Sequence, residues 1–293
     1  MFSLNTSGRP SAPREDQWAR PRITAEQIEA YAADGVVKIP RAIEDRWIEP
    51  LLEFSDARLE RPSRWVTDSN RGAAVDRLFT DRYLWREHAL VRAFVFESGV
   101  ARLAAELMRS TAARFYFDHL LVKQPRTREP TPWHQDIPYW PFLGRQICSV
   151  WVALTEATVS ESSLEFVRGS HAWGKYFAPV AFATKAGWTA DFVGERCPDI
   201  DADRSRYDVV GFDVMPGDAI VFSAWTLHGA PGNAGAKRRV ALSTRWLGDD
   251  AVWAPHSGCD PTVRQTDVSI APGEPPADDD RFPVAWSAER RSL

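Results

Sequence analysis

The spacing of hydrophobic residues changes near residue 113. Before it, apolar residues recur at helical spacing, most clearly from Asp81 to Arg109, where Gly99 separates two predicted helices. After it, short runs of β-branched and aromatic residues alternate with turns that contain Pro, Gly and Asp. The pattern therefore predicts helices first and a series of strands afterwards.

The first predicted helix has a clear start and end. Thr24 and Gln27 have the spacing of a capping box, Ile23 can pack against Ile28, and Gly35 is placed to end the helix. We expect a short strand at 36–39 and a second helix at 45–61, followed by irregular chain at 62–80. Further strands are predicted at 114–123, 147–154, 163–167, 209–214, 219–222 and 238–246.

This order of elements is typical of an α+β fold, in which about eight strands form two facing sheets of a double-stranded β-helix, or cupin-like jelly roll, buttressed by the N-terminal helices. We expect a flexible tail at 1–21, a single jelly-roll domain with its helical buttress at 22–250, and an extended C-terminal wrap of that domain at 251–293. Trp253, Phe282 and Trp286 are candidate anchors for the wrap. The segment at 173–208 is too long for a hairpin turn and is typical of a lid or binding loop.

Composition excludes several classes of protein. The 293 residues are 44% hydrophobic and 26% charged, with a net charge of −4 and no basic stripe, so nucleic acid is not an expected partner. No apolar run approaches the roughly 18 residues that span a bilayer. Cys148, Cys197 and Cys259 are widely separated, which is typical of reduced thiols and predicts a cytoplasmic location.

The stretch around residue 134 carries the most interpretable chemistry. His134 and Asp136 are two positions apart, and in an extended strand such residues point to the same face. His228 is the best candidate for a third ligand. Two histidines and a carboxylate form the facial triad that holds Fe(II) in oxygenases, although His-x-Asp alone is a weak pattern.

Several motifs in order resemble the phytanoyl-CoA dioxygenase family of Fe(II)- and 2-oxoglutarate-dependent oxygenases. The resemblance runs from Thr24 to about Asp250. It is carried by the opening helix and strand and by four later motifs, which are Trp133-His134-Gln135-Asp136, Arg168-Gly169-Ser170-His171, Pro216-Gly217-Asp218, and His228-Gly229 followed by Arg239.

The resemblance implies a site for each cofactor. His134, Asp136 and His228 would bind Fe(II), and Arg239 would pair with the distal carboxylate of 2-oxoglutarate, leaving one metal position for O2. The expected reaction is hydroxylation of an unactivated C–H bond, with release of succinate and CO2. Related halogenases lack the carboxylate ligand, whereas Asp136 fills that position here.

Two departures from the family pattern affect the secondary contacts. The Asn/Gly-rich turn of the family is replaced by Glu161-Ser162-Ser163, and Ala230 stands where a hydroxyl or amide often reaches 2-oxoglutarate. Further candidate contacts to 2-oxoglutarate are Ser149, Trp151, His119 and Lys123. Candidate substrate-binding residues are Tyr139, Trp140, Trp225 and Arg245.

Because successive residues of a strand point to opposite sides, the sequence also predicts which residues face inward. Arg239, Ala241, Ser243 and Arg245 are expected to point inward, and Val240, Leu242 and Trp246 toward the helices. The row Phe115, Phe117, His119 and Leu121 is expected on one face of its strand. His171 is expected to be structural rather than a ligand.

Two other classes of function stay open from the residues. A cupin-like hydrolase or isomerase could use the same three ligands without 2-oxoglutarate, and a non-catalytic jelly-roll protein could keep the fold alone. Arg239 argues against both, because neither needs a buried cation there. The many aromatic residues favour a partly apolar small-molecule substrate, and the sequence does not define the oligomeric state.

Overall fold

The computed structural model describes residues 23–179 and 195–289. The expected tail at 1–21 lies outside these ranges, as does the middle of the long segment at 173–208. Four α-helices are described, which are α1 Ala25–Asp34, α2 Ile48–Glu60, α3 Ala89–Glu97 and α4 Val100–Met108. Among these residues, no helix combines the length and the apolar character that crossing a membrane requires.

In chain order the strands are β1 Val36–Ile39, β2 Thr67–Asp68, β3 Leu78–Arg82, β4 Ala112–Lys123, β5 Thr131–His134, β6 Phe142–Leu143, β7 Ile147–Ala153, β8 Glu165–Val167, β9 Val209–Gly211, β10 Ala219–Ser223, β11 His228–Ala230, β12 Arg239–Leu247, β13 Val252–Trp253 and β14 Val284–Ser287. Each of the six strands predicted from the sequence after residue 112 is present, as β4, β7, β8, β9, β10 and β12, whereas β6, β11, β13 and β14 were not predicted.

Two antiparallel sheets form the centre of the molecule. The larger sheet has the order β1-β10-β7-β12-β4-β3-β2, with β14 also paired to β4, and the smaller sheet has the order β5-β11-β8-β9. Trp151 and Ala241 of the larger sheet share one buried cluster with Phe166 and Ala230 of the smaller sheet, so the two sheets face each other. The predicted jelly roll is confirmed.

The four helices cover the opposite face of the larger sheet. Val240, Leu242 and Trp246 of β12 are buried in one cluster with residues of all four helices, including Leu51 and Leu107. Burial of this face places the alternate residues of β12 between the sheets, as the predicted register requires. Gly99 separates α3 from α4 with a positive φ of 88°.

The first helix is tied to the sheets at its C-terminal end. The capping box of Thr24 and Gln27 is present, and Gly35 ends α1 with φ of 74°. Its carbonyl accepts hydrogen bonds from the Ser223 amide at 2.9 Å and the Thr226 hydroxyl at 2.8 Å. A Cβ at Gly35 would lie against the His171 ring, whose Nε2 is 3.1 Å from the Ala32 carbonyl. His171 thus packs against α1.

Two local predictions were wrong. Residues 62–80 are not irregular throughout, because β2 and β3 extend the larger sheet beyond β4. Phe115 does not share the inward face with Phe117, because β4 has a bulge: one extra residue lies between Asp118 and Phe115, the partners of Thr244 and Trp246. Phe115 packs instead with Trp246 on the helical side, at a ring-centroid distance of 5.1 Å.

Aromatic residues near the C-terminus are buried. Trp253 and Phe282 are both 0% exposed, with ring centroids 6.0 Å apart, and Trp286 of β14 packs against the helical cluster. Strand β14 of the C-terminal segment pairs with β4 and so extends along the larger sheet.

Candidate metal centre

Two histidines face each other from neighbouring strands of the smaller sheet. His134 ends β5 and His228 begins β11, and the two residues are register partners with ring centroids 4.1 Å apart. The Nδ1 atom of His134 lies 2.7 Å from the Pro132 carbonyl, and that of His228 lies 2.9 Å from the Thr226 carbonyl. Because a carbonyl can only accept, each Nδ1 carries the proton, and each Nε2 keeps its lone pair for a metal.

Asp136 reaches the same point by a turn rather than by strand alternation. The strand ends at His134, and Asp136 has helical dihedral angles at the start of a 3-10 turn over Ile137–Tyr139. The amides of Asp136 and Ile137 both donate to the Ala224 carbonyl at 3.0 Å, which fixes the turn against the larger sheet. The side chains were predicted to converge, but the reason given, an extended strand through both residues, was wrong.

The three side chains converge closely enough to hold one ion. The Oδ1 atom of Asp136 lies 3.6 Å from Nε2 of His134 and 3.8 Å from Nε2 of His228. Within the described ranges, these three residues form the one group of metal-binding side chains whose ligand atoms all lie within 4.8 Å of one another. All three are buried.

The protonation states of Asp136 and His228 suit the binding of a metal cation. Burial alone would raise the pKa of Asp136, but the positive charge of the nearby Arg245 guanidinium holds it well below its ordinary value. Burial, followed by the proximity of His134, lowers the pKa of His228 to about 3. Asp136 is therefore anionic and His228 neutral at physiological pH, which are the forms that coordinate metals.

Two buried cations lie side by side on the inward face of the larger sheet. Arg239 is 4% exposed and Lys123 is 0% exposed, and they are register partners in β12 and β4. The Arg239 guanidinium lies 5.6 Å from the ring centroid of Trp151, and its Nε is buried without a hydrogen-bond partner. Lys123 Nζ donates to the Pro231 carbonyl at 2.6 Å.

Neither cation forms an ion pair with a carboxylate of the described chain. No ion pair joins Arg239 or Lys123 to Asp or Glu in residues 23–179 and 195–289, and burial lowers the pKa of Arg239 only to about 10. A buried, uncompensated guanidinium is costly unless an anion binds there. The residues present therefore fit both halves of the expected cofactor set, a divalent metal and a dicarboxylate.

Three other residues were predicted to contact 2-oxoglutarate, namely Ser149, Trp151 and His119. They lie on the same inward face of the larger sheet but differ in their hydrogen bonds. Trp151, Ser243 and His119 are aligned across three neighbouring strands, and buried Nε1 of Trp151 and Nε2 of His119 have no hydrogen-bond partner. Ser149 is engaged elsewhere, because its hydroxyl donates to Oδ2 of Asp136 at 2.7 Å. Its contact with 2-oxoglutarate stays a prediction.

Two of the predicted substrate-binding residues, Tyr139 and Arg245, lie next to metal ligands. Tyr139 and Trp140 are buried in an aromatic cluster with Phe117, and the indole of Trp225 donates to the Gly144 carbonyl at 2.7 Å. Arg245 is also buried, and its Nε lies 3.7 Å from Oδ2 of Asp136. It is thus adjacent to the metal ligands themselves.

Gln135, between two ligands, has a contact that the sequence did not reveal. Its side chain points away from the metal site, donates to the carbonyls of Lys175 and Trp225 at 3.1 and 2.9 Å, and accepts from the Phe177 amide at 3.1 Å. Gln135 therefore ties the start of the long segment to the ligand-bearing turn. The only signal in the sequence was its place between His134 and Asp136.

Comparisons with known proteins agree with this geometry. The family model described as phytanoyl-CoA dioxygenase (PhyH) matches residues 31–241. A sequence search of curated proteins gives no significant match. Among solved structures, the fold is similar to the α-ketoglutarate-dependent carbocyclase SnoK from nogalamycin biosynthesis, with a TM-score of 0.68 and 22% identity over 89% of this chain and 96% of that chain.

Two further structures share the fold. The epimerase SnoN, crystallised with Fe³⁺, α-ketoglutarate and nogalamycin RO, has a TM-score of 0.66 and 21% identity over 89% of this chain and 98% of that chain. EctD from S. alaskensis, crystallised with 2-oxoglutarate and 5-hydroxyectoine, has a TM-score of 0.60 and 18% identity over 80% of this chain and 82% of that chain.

Proposed function

The chain belongs to the phytanoyl-CoA dioxygenase family, whose members are Fe(II)- and 2-oxoglutarate-dependent enzymes, and from this we propose that it hydroxylates an unactivated C–H bond of a small, partly apolar organic molecule. Its cofactors are Fe(II) and 2-oxoglutarate, with O2 as the oxidant. The finer assignment, hydroxylation, goes beyond family membership, since the structural relatives include a carbocyclase and an epimerase.

The observation that carries the proposal is the position of Arg239 relative to the three metal ligands. Its buried, unpaired guanidinium shares the space between the sheets with His134, Asp136 and His228. A metal-dependent hydrolase or isomerase needs the ligands but has no use for a buried cation of this kind. A planar guanidinium matches a carboxylate through two parallel hydrogen bonds, as the distal end of 2-oxoglutarate requires.

The proposed roles divide the site into two parts. His134, Asp136 and His228 would hold the iron, and Arg239, assisted by Lys123, would bind the distal carboxylate of 2-oxoglutarate. When bound, the iron and its co-substrate supply the oxidising chemistry, which releases succinate and CO2. The protein contributes binding, orientation and exclusion of water.

Lys123 would strengthen binding of the distal carboxylate of 2-oxoglutarate through its charge and through its fixed position. Its ammonium is fixed by the Pro231 carbonyl, one residue beyond β11, so it links the two sheets next to Arg239. Burial, and then the proximity of Arg239, lower the pKa of Lys123 well below its ordinary value. A bound dicarboxylate would offset both effects.

We propose Tyr139, Trp140 and Trp225 as walls of the substrate pocket. Tyr139 packs edge-on to His134 with ring centroids 5.8 Å apart, so an apolar substrate against these rings would lie next to the metal. Trp151 and His119 offer unpartnered N–H or N groups on the neighbouring face. These polar atoms suit a substrate or co-substrate oxygen.

Hydroxylation is favoured over halogenation because Asp136 occupies the position that a halide would need. The carboxylate is anionic, buried and aimed at both histidines. We therefore expect three protein ligands and no room for a halide ligand beside 2-oxoglutarate and O2.

Product mass distinguishes hydroxylation from the other outcomes. Purified protein with Fe(II), 2-oxoglutarate and O2 would be incubated with a panel of partly apolar metabolites, and succinate and products would be measured together. A product that gains one oxygen atom in step with succinate supports the proposal. Succinate formed together with products that lose two hydrogens or keep the substrate mass would overturn hydroxylation while leaving 2-oxoglutarate dependence intact.

A further inference from the structure

The Oδ2 oxygen of Asp136 accepts a hydrogen bond from one side chain of the larger sheet and forms an ion pair with another. Ser149 donates its hydroxyl to Oδ2 at 2.7 Å, and Arg245 Nε lies 3.7 Å from the same atom. Oδ1, in contrast, faces Nε2 of both histidines. The two oxygens of one carboxylate thus have different surroundings, and only one of them faces the metal site.

The positions of Ser149 and Arg245 are set by the sheet. They are register partners in β7 and β12, so both side chains leave the same point of the sheet on its inward face. Ser149 is 0% exposed and Arg245 is 6% exposed. The pairing of two central strands fixes the backbone of both residues.

Arg245 is also held from its other sides. Its Nη1 donates to the Ser243 hydroxyl, and its guanidinium carbon lies 5.2 Å from the ring centroid of Phe117 and 5.8 Å from that of Trp140. This packing fixes a rigid cation beside Asp136. A guanidinium so engaged has little freedom to follow a substrate, which argues against the substrate-binding role that we predicted for Arg245 from sequence.

We propose that Arg245 and Ser149 are positioning residues that hold Oδ2 of Asp136, so that the carboxylate offers only Oδ1 to the metal. This inference rests on the proposed function, because it assumes a metal between the three ligands. A carboxylate free at both oxygens can bind through both and occupy a second coordination position. The site needs its open positions for 2-oxoglutarate and O2. Outer partners of metal ligands commonly change metal affinity or activity by about 10–100-fold when removed.

A double-mutant cycle tests whether the two residues act through Asp136. Co(II), which does not turn over, would be titrated into wild-type protein and into Ser149→Ala, Arg245→Gln, Asp136→Ala and the two double variants that include Asp136→Ala. We expect Ser149→Ala and Arg245→Gln each to weaken Co(II) binding about 10–100-fold in the wild-type background and to have no further effect when Asp136 is already replaced.

Cys148→Ala provides a matched control for Ser149→Ala. Cys148 is the preceding residue of β7, is also 0% exposed, and packs on the opposite, helical side of the sheet. It should not change Co(II) affinity, although it removes a buried atom from the same strand. Circular dichroism and thermal unfolding of each variant would verify that the fold is retained.

A second titration separates this proposal from the proposed function. The affinity of Co(II)-loaded protein for 2-oxoglutarate should fall about tenfold or more in Ser149→Ala, as the released carboxylate competes for a coordination position. If wild-type Co(II) protein binds 2-oxoglutarate but both substitutions have the same effect with and without Asp136, the positioning role is wrong and the function stands. If wild-type Co(II) protein binds no 2-oxoglutarate, the proposed function fails.

Discussion

Arg238 and Arg239 are neighbours in sequence but serve opposite sides of the larger sheet. Arg239 is buried between the sheets against Trp151, whereas Arg238 pairs with both carboxylate oxygens of Asp56 on α2, with Nη2 3.0 Å from Oδ2. The alternation of β12 produces this division, and it supplies a natural pair of variants.

The first prediction compares these two arginines. Arg239→Ala should raise the KM for 2-oxoglutarate strongly, because it removes a charge-assisted bidentate pair worth on the order of 2–3 kcal/mol, or about 30–150-fold. Arg238→Ala removes a partly exposed ion pair and should change that KM little. The rate of succinate release against 2-oxoglutarate concentration measures both. A greater effect from Arg238 would mean that the roles assigned to the two residues are reversed.

The second prediction concerns Asp136. Asp136→Gly should reduce hydroxylation steeply, because it removes the anionic ligand and opens a coordination position. Efficient chlorination is not expected from this change, because chloride would also need hydrogen-bond donors arranged for it around the vacated position. Product analysis by mass spectrometry, with and without added chloride, measures both outcomes. Near-normal hydroxylation would remove Asp136 from the metal ligands.

The third prediction links α1 to the metal ligand His228. Gly35→Ala should destabilise the fold by more than Gly72→Ala, although both glycines have positive φ, of 74° and 82°. A Cβ at Gly35 would contact His171 and lie 2.6 Å from the Thr226 hydroxyl, whereas one at Gly72 would have nothing within 4 Å.

The left-handed conformation costs about 1–2 kcal/mol in both variants, and crowding adds roughly 1–3 kcal/mol at Gly35 only. Because the Thr226 carbonyl accepts from His228, Gly35→Ala should also weaken metal binding. Urea unfolding and Co(II) titration measure the two effects. Equal destabilisation by both substitutions would show that α1 is not tightly packed against this turn.

The fourth prediction is a pH dependence due to Asp118. Its carboxylate oxygens accept from the Leu84 and Trp85 amides at 2.9 and 3.0 Å, yet burial raises its pKa to about 7. The folded state therefore binds a proton between about pH 4 and 7 that the unfolded chain does not hold. The contribution of Asp118 to stability should decrease as the pH rises through this range, by up to about 1.4 kcal/mol per pH unit.

The difference in free energy of unfolding between wild type and Asp118→Asn isolates this term, because the other titrating groups are common to both proteins. It should favour the wild type more at pH 5 than at pH 8. A difference that is constant with pH, or that grows toward alkaline pH, would show that the two amide hydrogen bonds outweigh burial and that Asp118 stays ionised.

Much of the fold could be predicted because local signals and burial agree. Three predicted features depend only on a few adjacent residues, and all three are present in the structure. They are the capping box at Thr24, the break at Gly99 and the alternation of β12. In contrast, β2 and β3 depend on pairing with the distant β4, and the bulge that moves Phe115 depends on the partner strand. Such non-local features leave no periodic pattern in the segment itself.

The site shows the same division. The three ligands and Arg239 belong to motifs, so their convergence could be expected, whereas the turn that brings Asp136 to His134 could not. The contacts of Ser149 and Arg245 with Asp136 depend on the register of β7 against β12. From the sequence, Ser149 was instead predicted to contact 2-oxoglutarate and Arg245 to bind the substrate.

The formation of succinate from 2-oxoglutarate tests the central claim most directly, since uncoupled turnover needs no knowledge of the prime substrate. Wild-type protein with Fe(II) and O2 should form succinate, and omission of either should stop it. His134→Ala and His228→Ala should remain folded but form none, because each removes one of three ligands that project into the pocket. Absence of Fe(II)-dependent succinate in the wild type, or near-normal succinate in either variant, would contradict the assignment of this site.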